Sequence, residues 1–277
     1  MFTGLSTTAF TPLWRIVVLT LCVGGAASLG GIQQTSVTAR DELAPTGRLR
    51  VGINFGNALL AVKDASGAPG GIAVRLAQEL SNRVGLPMEV VGYESAGLMA
   101  GAVTTGAWDV AFLAVDPDRA GDIVFTPPYL EIDTTYLVPV GSPLRTLQDV
   151  DRDGVRIAVS ERSAYDLFLT RELKQAQLVR APSPSASVDL FFDRRLDALA
   201  ALRPVLVGLA RQHPESRILD GRFTVVTQAV GAPRGRPAVA QFLREFIEDA
   251  KASGLVANAI DASGIVGVSV APPAPRE

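Results

Sequence analysis

Asp109-Val-Ala-Phe-Leu-Ala114 is the stretch on which the fold turns. One charge at its entrance is followed by an unbroken apolar run, the pattern of a strand buried on both faces of a parallel sheet. Parallel neighbours need a crossover, usually a helix, and helical patterns stand on both sides. Upstream, Leu49, Val51 and Ile53 alternate as in a half-buried strand, and Asp64 to Gly71 reads as turns. Ile72, Leu76, Leu80 and Val84 recur every four residues, predicting a helix that Gly85 and Pro87 stop. Met88–Val91 reads as a second strand. Leu98, Met99, Ala102 and Val103 suggest a helix closing near Gly106. Downstream the alternation repeats. Strands are expected at 135–140, 155–159 and 224–229, with helices at 164–173, 186–192 and after Pro237. Strands alternating with helices through short connections predict an α/β layered fold.

Composition narrows the function. The chain has 277 residues, 48% hydrophobic and 19% charged, with 26 basic against 28 acidic side chains. A net charge of -2 and no long basic run leave no footprint for nucleic acid. Trp14-Arg15, the apolar run Ile16–Val23 and the small residues Gly24–Ser28 outline a secretory signal. That apolar stretch is shorter than the roughly 20 residues a spanning helix needs. Export to the periplasm is the expected location. Cys22, the only cysteine, falls within the signal. Leu21 before it disfavours a lipid anchor, and no disulfide framework is possible.

The order of several short strings resembles the family 3 extracellular solute-binding proteins, the polar-amino-acid branch of ABC-transporter receptors. Gly47-Arg-Leu-Arg-Val-Gly52 and Gly70-Gly-Ile-Ala-Val-Arg-Leu-Ala77 carry the likeness, with Gly106-Ala-Trp-Asp-Val-Ala111 and Asp116-Pro-Asp-Arg-Ala120. Phe125-Thr-Pro-Pro-Tyr129, Arg156-Ile-Ala-Val-Ser160 and Arg195-Leu-Asp-Ala198 complete it. Each is weak alone; their order is specific. The resemblance implies the two-lobed type 2 periplasmic binding protein fold, with two crossing strands and a central ligand cleft. The crossings would be Thr135–Pro139 and Val225–Val230. The implied division is a signal peptide over 1–28, a linker over 29–47, a first lobe of 48–136 plus 229–265, a second lobe of 137–228, and a disordered tail over 266–277.

On that template Arg119 would grip a ligand carboxylate, since a planar guanidinium matches a carboxylate with two parallel hydrogen bonds. The bland alternative is a surface arginine paired with Asp116, Asp118 or Asp122. Ser163 and Ala164 lie where a strand hands over to a helix, whose free N–H groups attract anions; Ser163 is equally an ordinary cap. The family uses a Gly-Thr-Thr turn there, and Arg162-Ser-Ala164 keeps one hydroxyl. The family's amino-acid receptors hold the ligand ammonium with an aspartate after the Leu-Asp-Ala string. Here the sequence is Ala200-Ala-Leu-Arg203, with no acid. Arg203 would repel an ammonium and attract a second anion, or it points to solvent before Pro204. Phe55 and Tyr165 are the favoured aromatic walls, ahead of Tyr93 and Tyr129, unless they are core. Asn54 and Asn57 offer amides or simply make a turn. Ala114 closes the apolar run at the cleft.

The expected ligand is a small anion, an amino acid or an acid lacking the amino group. It would be delivered to an ABC-type permease by a monomer without a cofactor. Nothing in the sequence supplies a nucleophile motif, a His/Cys zinc pair or a phosphate loop. Two other readings stay open. One is a dehydratase on the same fold, for which Glu161 and Glu131 are the nearby acids; the other is a sensing module for a signalling partner.

Overall fold

The computed structural model describes residues 37–275, so the expected signal peptide and Cys22 lie outside the described residues. The chain opens with helix α1 (Val37–Leu43) and strand β1 (Leu49–Asn54), then a small ribbon of β2 (Val62–Lys63) and β3 (Pro69–Gly70). Next come α2 (Ile72–Val84), β4 (Met88–Tyr93), α3 (Ala96–Gly101) and β5 (Val110–Ala114), then β6 (Ile123–Phe125) and the long β7 (Leu130–Pro139). A second set follows: β8 (Arg156–Ser160), α4 (Ala164–Glu172), β9 (Gln177–Ala181), α5 (Pro184–Asp193), β10 (Ala198–Leu202) and α6 (Arg203–Gln212). The chain returns through β11 (Ser216–Ile218) and β12 (Thr224–Pro233) to α7 (Pro237–Ala252), α8 (Leu255–Ser263) and β13 (Val268–Val270).

The main sheet runs β4-β1-β5-β12-β7-β10-β8-β9. β1 is parallel to β4 and β5, and β8 is parallel to β9 and β10. β7 and β12 run antiparallel between these sets and join two lobes. β7 pairs with β12 through 130–134 and with β10 through 134–137. β12 pairs with β7 through 224–228 and with β5 from Gln228 onward, so Gln228 sits where β12 changes partner.

The same lock opens each parallel set. Asp109 donates its N–H to the Arg50 carbonyl (2.9 Å), and its buried carboxylate accepts from the Arg50 N–H (3.0 Å) and guanidinium (2.6 Å). Asp197 repeats this with Arg156, through N–H to carbonyl at 3.0 Å and carboxylate from N–H at 2.8 Å. Trp108, fully buried, donates Nε1 to the Met99 carbonyl at 2.9 Å and ties α3 to β5. Two strings that carry the family likeness are thus strand-start locks.

Helix α2 matches its predicted span, buries Ile72, Leu76, Leu80 and Val84, and stops at Gly85 in the left-handed region (φ 66°). Glycine adopts that conformation without a Cβ clash.

Two expectations fail. The linker over 29–47 contains α1, whose Ala39 and Leu43, four apart, are buried against the core. Arg236 Nη1 donates to the Glu42 carbonyl at 3.0 Å and fastens it. The tail over 266–277 contains β13, paired with β7 from Val268↔Ile132 to Val270↔Leu130 and extended by Ala271 N–H to the Tyr129 carbonyl (3.1 Å). β7 has a second edge there, and the return strand satisfies its backbone groups. Composition near the prolines concealed both the need and the partner.

Candidate functional site

Between the lobes lies a cavity of about 220 Å³ at the carboxyl ends of β1, β5, β8 and β10. Ligands of open α/β sheets sit at such ends because the loops and helix starts converge there. The first-lobe wall holds Asn54 and Asn57 of the loop after β1, Met99 of α3, and Phe112 and Ala114 of β5. The second-lobe wall is built from three helix starts. Ser163, Ala164 and Tyr165 open α4, Ser185 lies in the first turn of α5, and Leu202 and Val205 open α6. Gln228 and Val226 of the crossing strand close the back.

The loop after β1 is made by its sequence. Asn54 Oδ1 accepts from the Gly56 N–H at 3.0 Å, and a side chain at Gly56 would collide with the Glu94 carbonyl oxygen. Asn57 Oδ1 accepts from the Leu59 N–H at 3.3 Å. Because both amide oxygens serve the loop, the two asparagines present a ligand with NH2 donors.

On the other wall Ser163 Oγ caps α4 by accepting from the Asp166 N–H at 3.1 Å. The Ala164 and Tyr165 N–H groups have no acceptor among the described residues, nor has that of Ser185. Burial pushes the Tyr165 phenol up to about 12, opposed by hydrogen bonding with Ser163 and Ser160, so it stays protonated. Gln228 is 5% exposed, and its carboxamide makes no hydrogen bond among the described residues. The free polar groups around the cavity are therefore mainly donors. No carboxylate, ammonium, guanidinium or imidazole is among the lining side chains.

Asn54, Ala114, Ser163, Ala164 and Tyr165 are brought together at this cavity, and Arg119, Arg203 and Phe55 are not. Arg119 lies behind the wall, 6% exposed, with Nη1 donating to the Ala114 carbonyl and Nη2 to the Arg162 carbonyl, each at 2.8 Å. It lines a smaller recess with Asp118, Asp122 and Arg162. Burial lowers it to about 10 while Asp116 opposes the shift, so the guanidinium keeps its charge at neutral pH. Of the three acids expected as alternative partners, Asp116 and Asp118 instead pair with Arg171 across the lobes, at 3.0 and 3.5 Å, and among the described residues Asp122 makes no ion pair with Arg119.

Arg203 turns outward, donating to the Gly221 carbonyl and facing Asp133 at 4.0 Å. Phe55 packs on Gly92 beneath the Lys63 ammonium. Tyr129 is buried behind Phe112, edge to face at 5.9 Å. Sequence reasoning missed Gln228, Phe112, Met99 and Val205. The one available signal was Gln228, an amide inside the strand Thr224-Val-Val-Thr-Gln-Ala-Val230.

The sequence profile of the bacterial extracellular solute-binding proteins, family 3, matches residues 49–262. The chain belongs to this family. Among relatives, a cyclohexadienyl dehydratase of Pseudomonas aeruginosa is 23% identical over 80% of this chain and 85% of its own length. The virulence sensor protein BvgS of Bordetella pertussis is 29% identical over 62% of this chain, a match spanning 13% of the sensor. A solved solute receptor for L-cysteine from Neisseria gonorrhoeae superposes with a TM-score of 0.71 at 21% identity, covering 81% of this chain and 92% of that one. The family and the superposition give the fold: a type 2 periplasmic binding protein, two lobes around a central cleft. Among the described residues no helix is long and apolar enough to cross a membrane, and no cluster of metal-ligating side chains occurs.

Proposed function

We propose that this chain is a periplasmic receptor that captures a small anion lacking an α-amino group and hands it to an ABC-type permease. The observation that carries the reading is a donor-rich, acid-free cavity: free N–H groups at helix starts, asparagine NH2 groups, and no carboxylate to meet an ammonium. Helix starts attract anions through unpaired N–H groups and the helix dipole. A carboxylate accepting two or three such bonds stays ionised without a counter-cation. The Arg119 charge behind Ala114 adds a favourable field without touching the ligand. An ammonium group would be stripped of water with no carboxylate to replace it, a cost that grows with burial.

Ligand contacts from both walls coexist only when the lobes are closed. Binding therefore draws the open–closed equilibrium toward the closed form by that difference in contacts. Thermal denaturation with amino acids and their deaminated counterparts tests the reading, because a ligand of the native state raises apparent stability. The acids should raise the midpoint and the amino acids should not. A preference for any zwitterion would refute it.

The likeness to a dehydratase supports a second reading. Elimination needs a side chain that moves a proton at the reacting atom. Glu161 and Glu131, the acids the sequence offered, are not among the lining residues. The Tyr165 phenol is held far from the neutral titration range that general acid–base work favours. Formation of product from prephenate-like acids would establish the enzymatic reading instead.

A further inference from the structure

The cavity's polar groups are few and its remaining surface is hydrocarbon. Met99, Phe112, Leu202, Val205 and Val226 present no hydrogen-bonding side chain to a ligand. Ser163 Oγ is occupied by the Asp166 N–H, and Ser187 Oγ donates to the Pro184 carbonyl at 2.7 Å. What remains on the second lobe is the pair of adjacent N–H groups of Ala164 and Tyr165, with that of Ser185, beside the hydroxyls of Ser160, Tyr165 and Ser185, which are engaged with one another or with Ser163 and Ser183. At the back stands Gln228, 5% exposed, its carboxamide unpartnered among the described residues. Without a protein partner and in the cavity lining, this amide is free to donate to a ligand atom.

We propose that the bound solute is a monocarboxylate with an apolar body. Its carboxylate rests on the start of α4 and on Gln228, and its hydrocarbon lies against Phe112, Met99 and Val205. This rests on the anion reading above and specifies which anions qualify. A second carboxylate would find only the single free N–H of Ser185 at the start of α5 and the two asparagine amides. Burying that charge with so few partners costs more than a decade of affinity. Hydroxyls on the part of the body that lies against Phe112, Met99 and Val205 would lose water without gaining partners. Size sets a further limit. About 220 Å³ exceeds the roughly 150 Å³ that admits benzene in an engineered protein cavity, which leaves room for a ring or branched chain bearing its acid group.

Calorimetric titration of the full chain with benzoate, 4-methylpentanoate, adipate and lactate tests this class. Benzoate or 4-methylpentanoate should bind at least about tenfold tighter than adipate or lactate. Gln228→Leu should lose at least about tenfold of that affinity. Val205→Trp, which fills the cavity from a half-buried helix position and leaves every polar group in place, should abolish binding and keeps the test open should the strand variant not fold. Tighter binding of adipate or lactate would overturn the apolar-body class and leave the anion receptor standing. Tighter binding of L-leucine than of 4-methylpentanoate would overturn both. Heat from none of these probes, or full affinity in both variants, would likewise overturn the proposal.

Discussion

Arg119 Nη2 donates to the carbonyl oxygen of Arg162 at 2.8 Å, joining a residue after β5 in one lobe to the turn before α4 in the other. Arg162 is held in the left-handed region (φ 54°), with its N–H donating to Asp166 Oδ2 at 2.7 Å. A side chain on Gly97 would collide with the Arg162 Cβ, so the first lobe also presses directly on this turn. The arginine expected to hold the ligand instead fastens the lobes around it.

Arg119→Ala should therefore weaken every ligand by a common factor and leave the order of preference among acids unchanged. Losing hydrogen bonds from a charged donor, worth about 1.5–3 kcal/mol, predicts a loss of about tenfold or more. Small-angle scattering of the ligand-free variant should show a larger radius of gyration than wild type. A ligand grip would instead leave the size unchanged and penalise carboxylates selectively over their amides.

Asp116 and Arg171 form the second fastening. Asp116 is buried, and Arg171 is partly exposed and also reaches Asp118 at 3.5 Å. Solvent screening limits such a pair to about 1 kcal/mol, or roughly fivefold in affinity. Arg171→Ala should weaken ligand binding by no more than that, and the difference from wild type should shrink as salt is added. An effect independent of ionic strength would argue against an ionic fastening.

The tyrosines give a pH prediction. All four are pushed above their ordinary range by burial, Tyr165 to about 12. An unfolded phenol ionises near about 10. The folded state therefore retains protons that the unfolded state has lost. Stability is complete below pH 10 and falls as pH rises from there through 12. Denaturant melts across the alkaline range should show this decline, with the phenolate absorbance of the native chain lagging behind that of the unfolded chain. Normal titration near 10 in the native protein would refute the burial.

Local patterns made the lobes legible. The 109–114 run, the Ile72–Val84 period and the string order indicated the sheet, α2 and the crossings. The cavity lining was legible where it is made by backbone geometry: a strand–helix handover puts Ser163 and Ala164 at the cavity whatever their side chains. Arg119 and Arg203 misled because a charged residue's sequence position does not say which way its long side chain turns. Here the carbonyls of Ala114, Arg162 and Gly221 took the guanidiniums. Gln228 was illegible because its role depends on the register of β12 against both β5 and β7, a nonlocal property. Helix α6 escaped because Arg203 and Pro204 stood out as charge and breaker, although proline is favoured in a helix's first turn.

The backbone reading of the site can be separated from its side chains by Ala164→Pro. Ala164 is the first residue of α4, where proline's fixed φ suits the helix and no intrahelical bond is lost. Ser163 before it already has φ -66° and ψ 159°, the extended conformation a following proline requires. The fold should tolerate the change, with a melting midpoint close to wild type. One donor to the ligand is gone, however, and a hydrogen bond to a charged acceptor is worth about 1.5–3 kcal/mol, so carboxylate affinity should fall about tenfold or more. Ser163→Ala should do the reverse. It removes the cap and costs about 1 kcal/mol of stability while leaving the N–H donors and most of the affinity in place. If Ala164→Pro bound carboxylates as tightly as wild type, the start of α4 would not be where the anion rests.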